Sequence, residues 1–327
     1  MGSTTSATEA VNITFTNKQK YLNMKLIADG GSTSAKWALI SDRGTTLRFS
    51  SSGVNPAVMS VDEITRRLLP ALAEAMENAT EPIESVVYYG AGCLPGAPTR
   101  AMTQALCEIT RAASIEVASD MLGACRALLG ERAGVAAILG TGSNSALYNG
   151  DTIVANTSAG GYILGDEMSG AWLGRRLASD YLKGLLPESL QAAVEAKGLN
   201  NAEIIRRVYR PDLAAGEMAP NRFLASLAPI YSDFRNDEWI ECTLREGAHL
   251  FIERNLLAYK THLNGNVAEV GFVGSVAVAF EDVLAEWLKL YGFMLGAVSP
   301  DALTPLLRRL GQPCRFAKAH RCTRRLK

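Results

Sequence analysis

Two short loops of glycine and hydroxyl residues, with one aspartate between them, are the residues of this chain best suited to chemistry. The first loop comprises Asp29, Gly30, Gly31, Ser32 and Thr33, and the second comprises Gly140, Thr141, Gly142, Ser143 and Asn144. Each loop follows an apolar run that predicts a β-strand, and Asp120 closes a third such run. Glycines let the backbone approach an anion closely, and N–H groups and hydroxyls can hold phosphate oxygens. Because two such loops can clamp a polyphosphate while the carboxylate takes a proton from a hydroxyl, these residues indicate phosphoryl transfer.

The residues after each loop narrow the kind of phosphate site. Both loops are followed by strand-like runs that end in turns, so each loop is predicted to join two strands of a hairpin. A P-loop would need a Gly-Lys pair before a helix, and a dinucleotide fingerprint would need G-x-G-x-x-G; the sequence contains neither. Two similar hairpin loops, far apart in the chain, suggest two related halves.

Simpler structural roles also fit these residues one by one. Each loop alone fits a tight turn, where glycine and serine are common for steric reasons. Asp120 alone fits an N-cap of the helix predicted to begin at Met121. The two loops together, with Asp120 between them, favour phosphate binding.

Composition fits a two-domain enzyme that binds neither membrane nor nucleic acid. The 327 residues are 48% hydrophobic, with 33 basic and 33 acidic side chains and a formal net charge of zero. Balanced charge gives no global attraction to nucleic acid or membrane, and no apolar run approaches the length of a transmembrane helix. The N-terminus lacks a signal-peptide pattern, and the six cysteines, without a CxxC pair, indicate scattered reduced thiols. We therefore expect a cytoplasmic protein.

Hydrophobic spacing predicts an α/β order of elements. Residues 61–79 predict a helix, because Ile64, Leu68 and Leu72 recur at helical spacing. Strand ends that carry Gly92 and Asp120 belong at one sheet edge, where open α/β sheets bind ligands. The other predicted elements are a strand over 85–89, helices over 99–113 and 121–130, mostly helical stretches over 172–197 and 221–260, and a strand over 270–276 followed by a helix.

Six segments together resemble a known family. They are residues 29–33, 90–92, 119–124, 139–144, 161–167 and 272–276. Their order is similar to that in N-acetylglucosamine kinases of the BadF/BadG/BcrA/BcrD ATPase group, in the actin/Hsp70/sugar-kinase superfamily. The resemblance covers residues 24–298 and implies an α/β fold of two ribonuclease-H-like (actin-like ATPase) domains with ATP in the cleft between them.

The resemblance also sets the expected domain boundaries. Residues 24–130 would form the N-terminal ribonuclease-H-like domain, and 131–298 the C-terminal one with a helical insertion. A polar leader over 1–23 is expected to be disordered, and 299–327 to form an atypical, partly disordered tail.

Each motif residue acquires a role through the resemblance. Asp120 would be the general base on the sugar 6-hydroxyl, and Asp29 would hold Mg²⁺ through water. Asn55, Asn144 and Asp166 would face the sugar. The residues implied to hold ATP are Gly30, Gly31, Ser32, Thr33, Gly140, Thr141, Gly142, Ser143, Gly274 and Ser275.

Two features depart from the family pattern. Met168 stands where such kinases usually carry glycine, and a side chain there would narrow the cleft or stiffen the turn. After Val298 the family usually ends in a short helix, whereas the residues from about Asp301 onward do not resemble that ending. Helix-breaking residues and a basic run without acids predict that residues 311–327 are mobile and dispensable.

The expected reaction is in-line transfer of the ATP γ-phosphoryl group to the 6-hydroxyl of an amino sugar, with N-acetylglucosamine as the leading candidate. The sequence does not rank N-acetylglucosamine against glucosamine, N-acetylmuramic acid derivatives or glucose. It also leaves the oligomeric state open, with a homodimer as one option.

Two other functions fit the same scaffold. One is an ATPase that activates a radical enzyme through a cysteine-held iron–sulfur cluster; Cys93 and Cys125 lack the close spacing for it. The other is a non-catalytic sensor of nucleotide or sugar.

Overall fold

The computed structural model describes residues 24–31, 33–41, 44–213, 216–263, 268–310 and 320–321. The predicted leader, residues 1–23, lies outside this part of the chain, as does Ser32 of the first loop. The strands are β1 Met24–Gly30, β2 Ser34–Ser41, β3 Gly44–Ser52, β4 Ile83–Gly90, β5 Ser114–Ser119, β6 Gly134–Leu139, β7 Ser143–Tyr148, β8 Ile153–Thr157, β9 Glu269–Val273, β10 Met294–Ser299 and β11 His320–Arg321.

The strands form two sheets of the same topology. The first has the order β11-β5-β4-β1-β2-β3 and the second the order β10-β9-β6-β7-β8. Apart from β11, each sheet consists of an antiparallel three-stranded meander extended by two parallel strands. This repetition confirms the prediction of two ribonuclease-H-like halves.

Helices connect and cover the sheets. They are α1 Val61–Glu77, α2 Ala97–Thr110, α3 Asp120–Leu129, α4 Gly161–Leu164, α5 Gly170–Leu182, α6 Glu188–Glu195, α7 Asn201–Tyr209, α8 Pro220–Ala225, α9 Pro229–Asp233, α10 Glu238–Phe251, α11 Ser275–Ala279, α12 Glu281–Leu290 and α13 Leu303–Leu310. A π-helical turn, Ile252–Leu256, and a 3₁₀ segment, Leu257–His262, continue α10. Helices α4 to α10 form the insertion expected between the strands of the second half.

Strand register brings the predicted motifs of the first half to one edge. Gly30 at the end of β1 lies opposite Gly90 at the end of β4, and Gly90 lies opposite Ser119 at the end of β5. The first loop and Asp120 therefore leave the sheet side by side. Side chains of α1 and α2 bury the other face of this sheet, with Ile64, Leu68 and Leu106 fully buried.

The second half repeats this edge. Leu139 of β6 pairs with Ser143 of β7, and Ile138 pairs with Val273 of β9. The second loop and Gly274 consequently lie next to each other. A large apolar core beneath them joins this sheet to the helical insertion.

Helix α3 lies between the two sheets and packs against strands of both. Its apolar side chains, among them Met121, Cys125 and Leu128, share one cluster with Tyr89 of the first half and Val273 of the second. Burying side chains of this size contributes about 1.5–3 kcal/mol each. This helix thus links the halves by packing as well as by the chain.

The segment from residue 299 contains more ordered structure than its sequence suggested. Helix α13 packs on the first sheet, where Leu303 and Leu307 contact Ile27 and Ile40. This segment therefore contains a helix whose leucines face the sheet, and Pro305 lies in its first turn, where proline is tolerated.

The expectation of a mobile tail is wrong for two of its residues, His320 and Arg321, which pair antiparallel with Ile115 and Ser114. The physical reason is that β5 is otherwise an edge strand with open backbone groups. The rest of the predicted tail, 311–319 and 322–327, lies outside the described residues. Across the part of the chain that is described, no helix is both long and apolar enough to span a bilayer.

Candidate active site

Asp29 places a carboxylate at the edge of the first sheet. Its Oδ2 accepts the backbone N–H of Ala302 at 2.9 Å. Burial raises the pKa of Asp29 above its ordinary value, with a further contribution from Asp301, while the Ala302 N–H and the ammonium of Lys36 oppose the rise. Lys36 itself lies 3.0 Å from Asp301.

The glycines of the first loop lie close to neighbouring atoms. A Cβ on Gly30 would lie 2.1 Å from the hydroxyl oxygen of Tyr88. The Gly31 N–H donates to the Ser34 carbonyl at 2.9 Å, which closes the hairpin, and Thr33 is exposed. Tyr88 is fully buried, and its hydroxyl has no hydrogen-bond partner among the described residues.

Asp120 is the first residue of α3, and it is not the cap. Ser119 is the N-cap, and its hydroxyl accepts the Leu122 N–H at 3.2 Å. Oδ1 of Asp120 accepts its neighbour's N–H, that of Met121, at 2.9 Å. Burial, together with the nearby carboxylate of Asp29, raises the pKa of Asp120 to about 6 against the effect of this bond. The capping explanation for Asp120 is therefore wrong, and the carboxylate has the proton affinity that suits a base near neutral pH.

Asp29 and Asp120 line one cavity of about 210 Å³ between the halves. The cavity also receives Gly274 from the second half and Asp301 from the segment before α13. The other lining residues are Gly30, Gly31, Ser34, Lys36, Ala124, Ile138, Val273, Pro300 and Ala302.

The second loop is held by the start of α5. The Gly170 N–H donates to the Gly140 carbonyl at 2.8 Å, and the Ala171 N–H donates to the Thr141 carbonyl at 3.0 Å. With its carbonyls engaged in this way, the loop leaves the Thr141 side chain exposed. A hydroxyl on a fixed backbone can donate to a phosphate without first being ordered.

A second cavity, of about 280 Å³, adjoins this loop. Gly140, Thr141 and Ser275 line one side of it, and small residues of the helical insertion, such as Ala225 and Ala228, line the other. A slot between small apolar side chains fits a flat aromatic ring.

Gly274 lines the first cavity and immediately precedes Ser275, which lines the second. Its φ is +132°, and a Cβ there would lie 2.0 Å from the Leu139 carbonyl oxygen. Because only glycine permits both features, the predicted turn at Gly274 and Ser275 has a steric reason.

Asn55 lies beside the loop that follows β4. A Cβ on Gly92, whose φ is +75°, would lie 1.9 Å from Oδ1 of Asn55. This Oδ1 also accepts the Ala57 N–H at 3.1 Å. Asn55 is thus brought to the same end of the first half as Asp120.

Asn144 has a partner that the sequence did not indicate. Oδ1 of Asn144 accepts from Nδ2 of Asn156 at 2.9 Å, and Asn156 also donates to the Ser145 carbonyl. Asn156 belongs to β8, a short strand without a clear alternating pattern, so the only available signal was its polarity. The two amides form a polar surface on the second half.

Asp166 lies beneath the second loop. Its Oδ1 accepts the Ser143 N–H at 3.0 Å, and its carboxylate oxygens lie 3.0 and 3.1 Å from where a Cβ on Gly142 would be. Burial raises the pKa of Asp166, against the effect of the Ser143 hydrogen bond. The structure therefore joins the predicted sugar ligand Asp166 to the predicted phosphate ligand Ser143.

Met168 does not narrow the cleft. It is fully buried in the core of the second half. A Cβ on Gly247 of α10 would lie 2.8 Å from Sδ of Met168. Met168 occupies the third position of a turn, with a φ of +62°. The turn is closed by the Ser169 N–H, which donates to the Asp166 carbonyl at 3.1 Å. Turns that need positive φ at this position favour glycine, which accounts for the family's preference. The expected effect on cleft width is thus wrong, because the side chain points into the core.

The acidic cavity fits a hydrated divalent cation. Asp29, Asp120 and Asp301 all line it; besides burial, Asp301 helps to raise the pKa of Asp29, and Asp29 helps to raise the pKa of Asp120. Hard oxygen donors of this kind suit Mg²⁺, which keeps several waters when bound. Among the described residues no group of three His, Cys, Asp or Glu side chains is placed to bind a metal directly. The carboxylate oxygens that line the cavity are donors that would suit a hydrated Mg²⁺.

The cysteines near the site are poor cluster ligands. Cys93 and Cys125 are both buried, and burial raises the pKa of each thiol to about 12. A thiol with this pKa is protonated at neutral pH, whereas a metal cluster needs thiolates.

Comparison with solved structures relates the whole domain pair to known proteins. A Porphyromonas gingivalis protein, provisionally named an N-acetylglucosamine kinase, is 38% identical, with 88% of this chain and 99% of that chain covered and a TM-score of 0.79. A Chromobacterium violaceum protein of the same provisional name is 21% identical over 89% of this chain and 99% of that chain, with a TM-score of 0.61. A ROK-family transcriptional regulator homologous to the E. coli MLC protein is 12% identical over 89% and 78%, with a TM-score of 0.51. The last two show the fold alone. No protein-family model and no curated protein matches the chain.

Proposed function

The chain belongs to the N-acetylglucosamine kinase-like family of the actin/Hsp70/sugar-kinase superfamily, and from this membership we propose that it transfers the ATP γ-phosphoryl group to the 6-hydroxyl of an amino sugar. N-acetylglucosamine is the leading acceptor, since a relative that shares 38% of its residues carries that name.

The position of Asp120 is the observation that carries this proposal. Its carboxylate lies in a cavity that glycines of both halves also line, and its pKa is about 6. Above this pH the group is ionised and can accept the proton of an acceptor hydroxyl as that oxygen attacks phosphorus. General-base assistance of this kind typically contributes about 10²–10⁴ in rate.

Each of the two cavities would bind a different part of ATP. The slot between Ser275, Ala225 and Ala228 would take the adenine and ribose, and the polyphosphate would cross Gly274 into the acidic cavity. Backbone N–H groups of both loops and the Thr141 hydroxyl would hold phosphate oxygens. Positioning and charge stabilisation are most of what phosphoryl transfer requires.

Mg²⁺, held through water by Asp29, would neutralise charge on the β- and γ-phosphates. Asn55 and Asn144 lie on the first and second half, respectively, so a sugar bound by both would favour the closed cleft. Closing expels water, which would otherwise compete with the sugar hydroxyl for the phosphoryl group.

Measuring ADP release with a panel of hexoses tests the proposal. The panel comprises N-acetylglucosamine, glucosamine, N-acetylmuramic acid, N-acetylmannosamine and glucose, each with MgATP. We expect turnover with at least one amino sugar, and ¹H–³¹P correlation of the product should place the phosphate on C6. Phosphate on C1, or a rate of ADP release that does not change with any of the sugars, would reject transfer to the 6-hydroxyl.

The same assay addresses the two other functions. A radical-enzyme activator would hydrolyse ATP without any sugar and would need accessible thiolates, which buried Cys93 and Cys125 do not offer. A sensor would bind sugar or nucleotide without turnover, so calorimetric binding with zero ADP release would favour it.

A further inference from the structure

Glu167 is a buried carboxylate that the proposed reaction does not use. It is 6% exposed and follows Asp166, which lies beneath the second loop. Oε1 accepts from Nη1 of Arg254 at 3.2 Å, and Oε2 accepts from Nδ2 of Asn255 at 3.1 Å. A carboxylate this buried normally has a specific partner to fix it, and Glu167 has two.

Both partners belong to the π-helical turn Ile252–Leu256. Asn255 is 2% exposed, and its carbonyl accepts hydroxyl hydrogen bonds from Ser145 at 3.0 Å and Thr157 at 3.2 Å. The widened turn leaves this carbonyl available for side-chain donors. Single π-turns inside helices often mark functional sites. Glu167 is therefore anchored to an element that also holds β7, the strand that follows the second loop, and its neighbour β8.

The turn that Glu167 anchors is strained. Asp166 and Met168, on either side of Glu167, have φ of +54° and +62°. Non-glycine residues persist in such conformations only where their surroundings over-determine them. Burial of Met168 supplies one constraint, and the two hydrogen bonds of Glu167 supply the other.

The positive φ of Asp166 places its carboxylate beneath the second loop. In the left-handed conformation of Asp166, Oδ1 reaches the Ser143 N–H at 3.0 Å. Relaxation of Asp166 to negative φ would swing its carboxylate away from that N–H. We propose that Glu167 is a positioning residue, which holds Asp166 beneath the second loop for acceptor binding. This inference rests on the proposed function for its acceptor role, but not for the link between Glu167 and Ser143.

Exchange of the Ser143 amide measures that link without any turnover. In Glu167→Gln, which keeps the side-chain shape, the Ser143 N–H should exchange at least about tenfold faster by NMR, because its acceptor is released. Leu190→Ala provides a matched control: Leu190 is fully buried in α6, and its truncation lowers stability without touching the turn. Unchanged Ser143 exchange in Glu167→Gln, or equal acceleration in Leu190→Ala, overturns the proposal.

Steady-state kinetics then tests the acceptor role. We expect Glu167→Gln to lower kcat/KM for the amino sugar by about ten- to a hundredfold, as misplacement of a binding group does, with a smaller effect on the Kd of ATP. Glu241→Gln, which removes an exposed ion pair with Arg245 on α10, should leave both values unchanged. Weakened ATP binding with an intact acceptor KM would overturn the acceptor role. A wild type inactive on every sugar would reject the proposed function, while the exchange measurement would still decide the link.

Discussion

Asp29 and Ala302 are separated by 273 positions in the chain, yet the Ala302 N–H donates to Oδ2 of Asp29 at 2.9 Å. The start of α13 is thus bound to the end of β1, and the carboxylate at the first loop is held by the last helix of the body. Since N–H groups at a helix start favour a negative charge, α13 stabilises ionised Asp29. The carboxylate of the first loop therefore depends on the start of α13, which follows the second half in the chain.

Replacement of Asp120 by asparagine tests the base. Asp120→Asn keeps the shape and removes the proton acceptor, so kcat should fall by about 10²–10⁴ while ATP affinity persists. In the wild type, kcat/KM should rise as the pH passes through about 6 and stay level above it, because the carboxylate must be ionised. Ser119→Ala is the matched control, since it removes the actual cap of α3 and should cost about 1 kcal/mol of stability but little rate. Activity of Asp120→Asn within a few-fold of wild type would refute the base.

Asp120→Asn should lower the rate but raise the stability of the folded protein at high pH. The pKa of Asp120 is raised to about 6 from an ordinary 3.8, so between these values the folded state binds more protons than the unfolded state. Its contribution to stability is therefore complete below pH 3.8 and is lost as the pH rises through 6. We expect Asp120→Asn to be more stable than wild type by roughly 2–3 kcal/mol in urea at pH 8, with the gain vanishing near pH 4. Asp151→Asn, at an exposed turn, is the control for the loss of a carboxylate and should leave the free energy of unfolding at pH 8 nearly unchanged.

Thr141→Ala tests the clamp at the second loop. Hydrogen bonds to charged groups contribute about 1.5–3 kcal/mol, so loss of the Thr141 hydroxyl should reduce turnover roughly ten- to a hundredfold. Thr152→Ala, at the exposed turn after β7, is the control and should be silent. If neither the rate nor the ATP affinity changes in Thr141→Ala, the second loop does not hold phosphate through this side chain.

Met168 and Gly247 should be energetically coupled. Met168→Gly relieves about 1–2 kcal/mol of left-handed strain but loses about 2–5 kcal/mol of buried side chain, so a net loss of stability is expected. Gly247→Ala should be destabilising alone, because its Cβ would lie 2.8 Å from Sδ of Met168. Together the two changes should cost about 0.5–3 kcal/mol less than their sum in urea titrations. The acceptor KM of Met168→Gly should not fall, because the Met168 side chain lies in the core; a lowered KM would mean that Met168 does restrict the cleft.

Truncation separates α13 from the residues after it. A chain ending at Leu310 should keep its melting temperature within a few degrees and its kinase rate, because β11 adds only a two-residue pairing to the edge strand. A chain ending at Ser299 should fail to fold, since it exposes Ile27 and Ile40. Leu307→Ala should lower the free energy of unfolding by about 2–5 kcal/mol. A large drop in melting temperature for the first truncation would give the tail a structural role.

Sequence reasoning located the loops, Asp120 and the long helices because each is a local pattern of residue types. It did not predict β3, where five of nine residues are Ser or Thr and apolar alternation is weak. Strand β8, with the sequence IVANT, and strand β10, with the sequence MLGAVS, show no clear alternation of apolar and polar residues.

The missed contacts are of another kind. The bond from Ala302 to Asp29, the pairing of Asn156 with Asn144, and the anchoring of Glu167 all join residues distant in the chain. Only the packing of complete sheets and helices decides which of these polar groups meet, so no local pattern encodes them.

Helix α3 packs against strands of both sheets and begins with Asp120. When two bodies turn about an element that touches both, the points nearest that element travel least. Asp120 is therefore close to the pivot of any rotation of one half against the other. Opening and closing of the cleft would move the second loop and the bound sugar toward Asp120, while the proton acceptor itself changes position little.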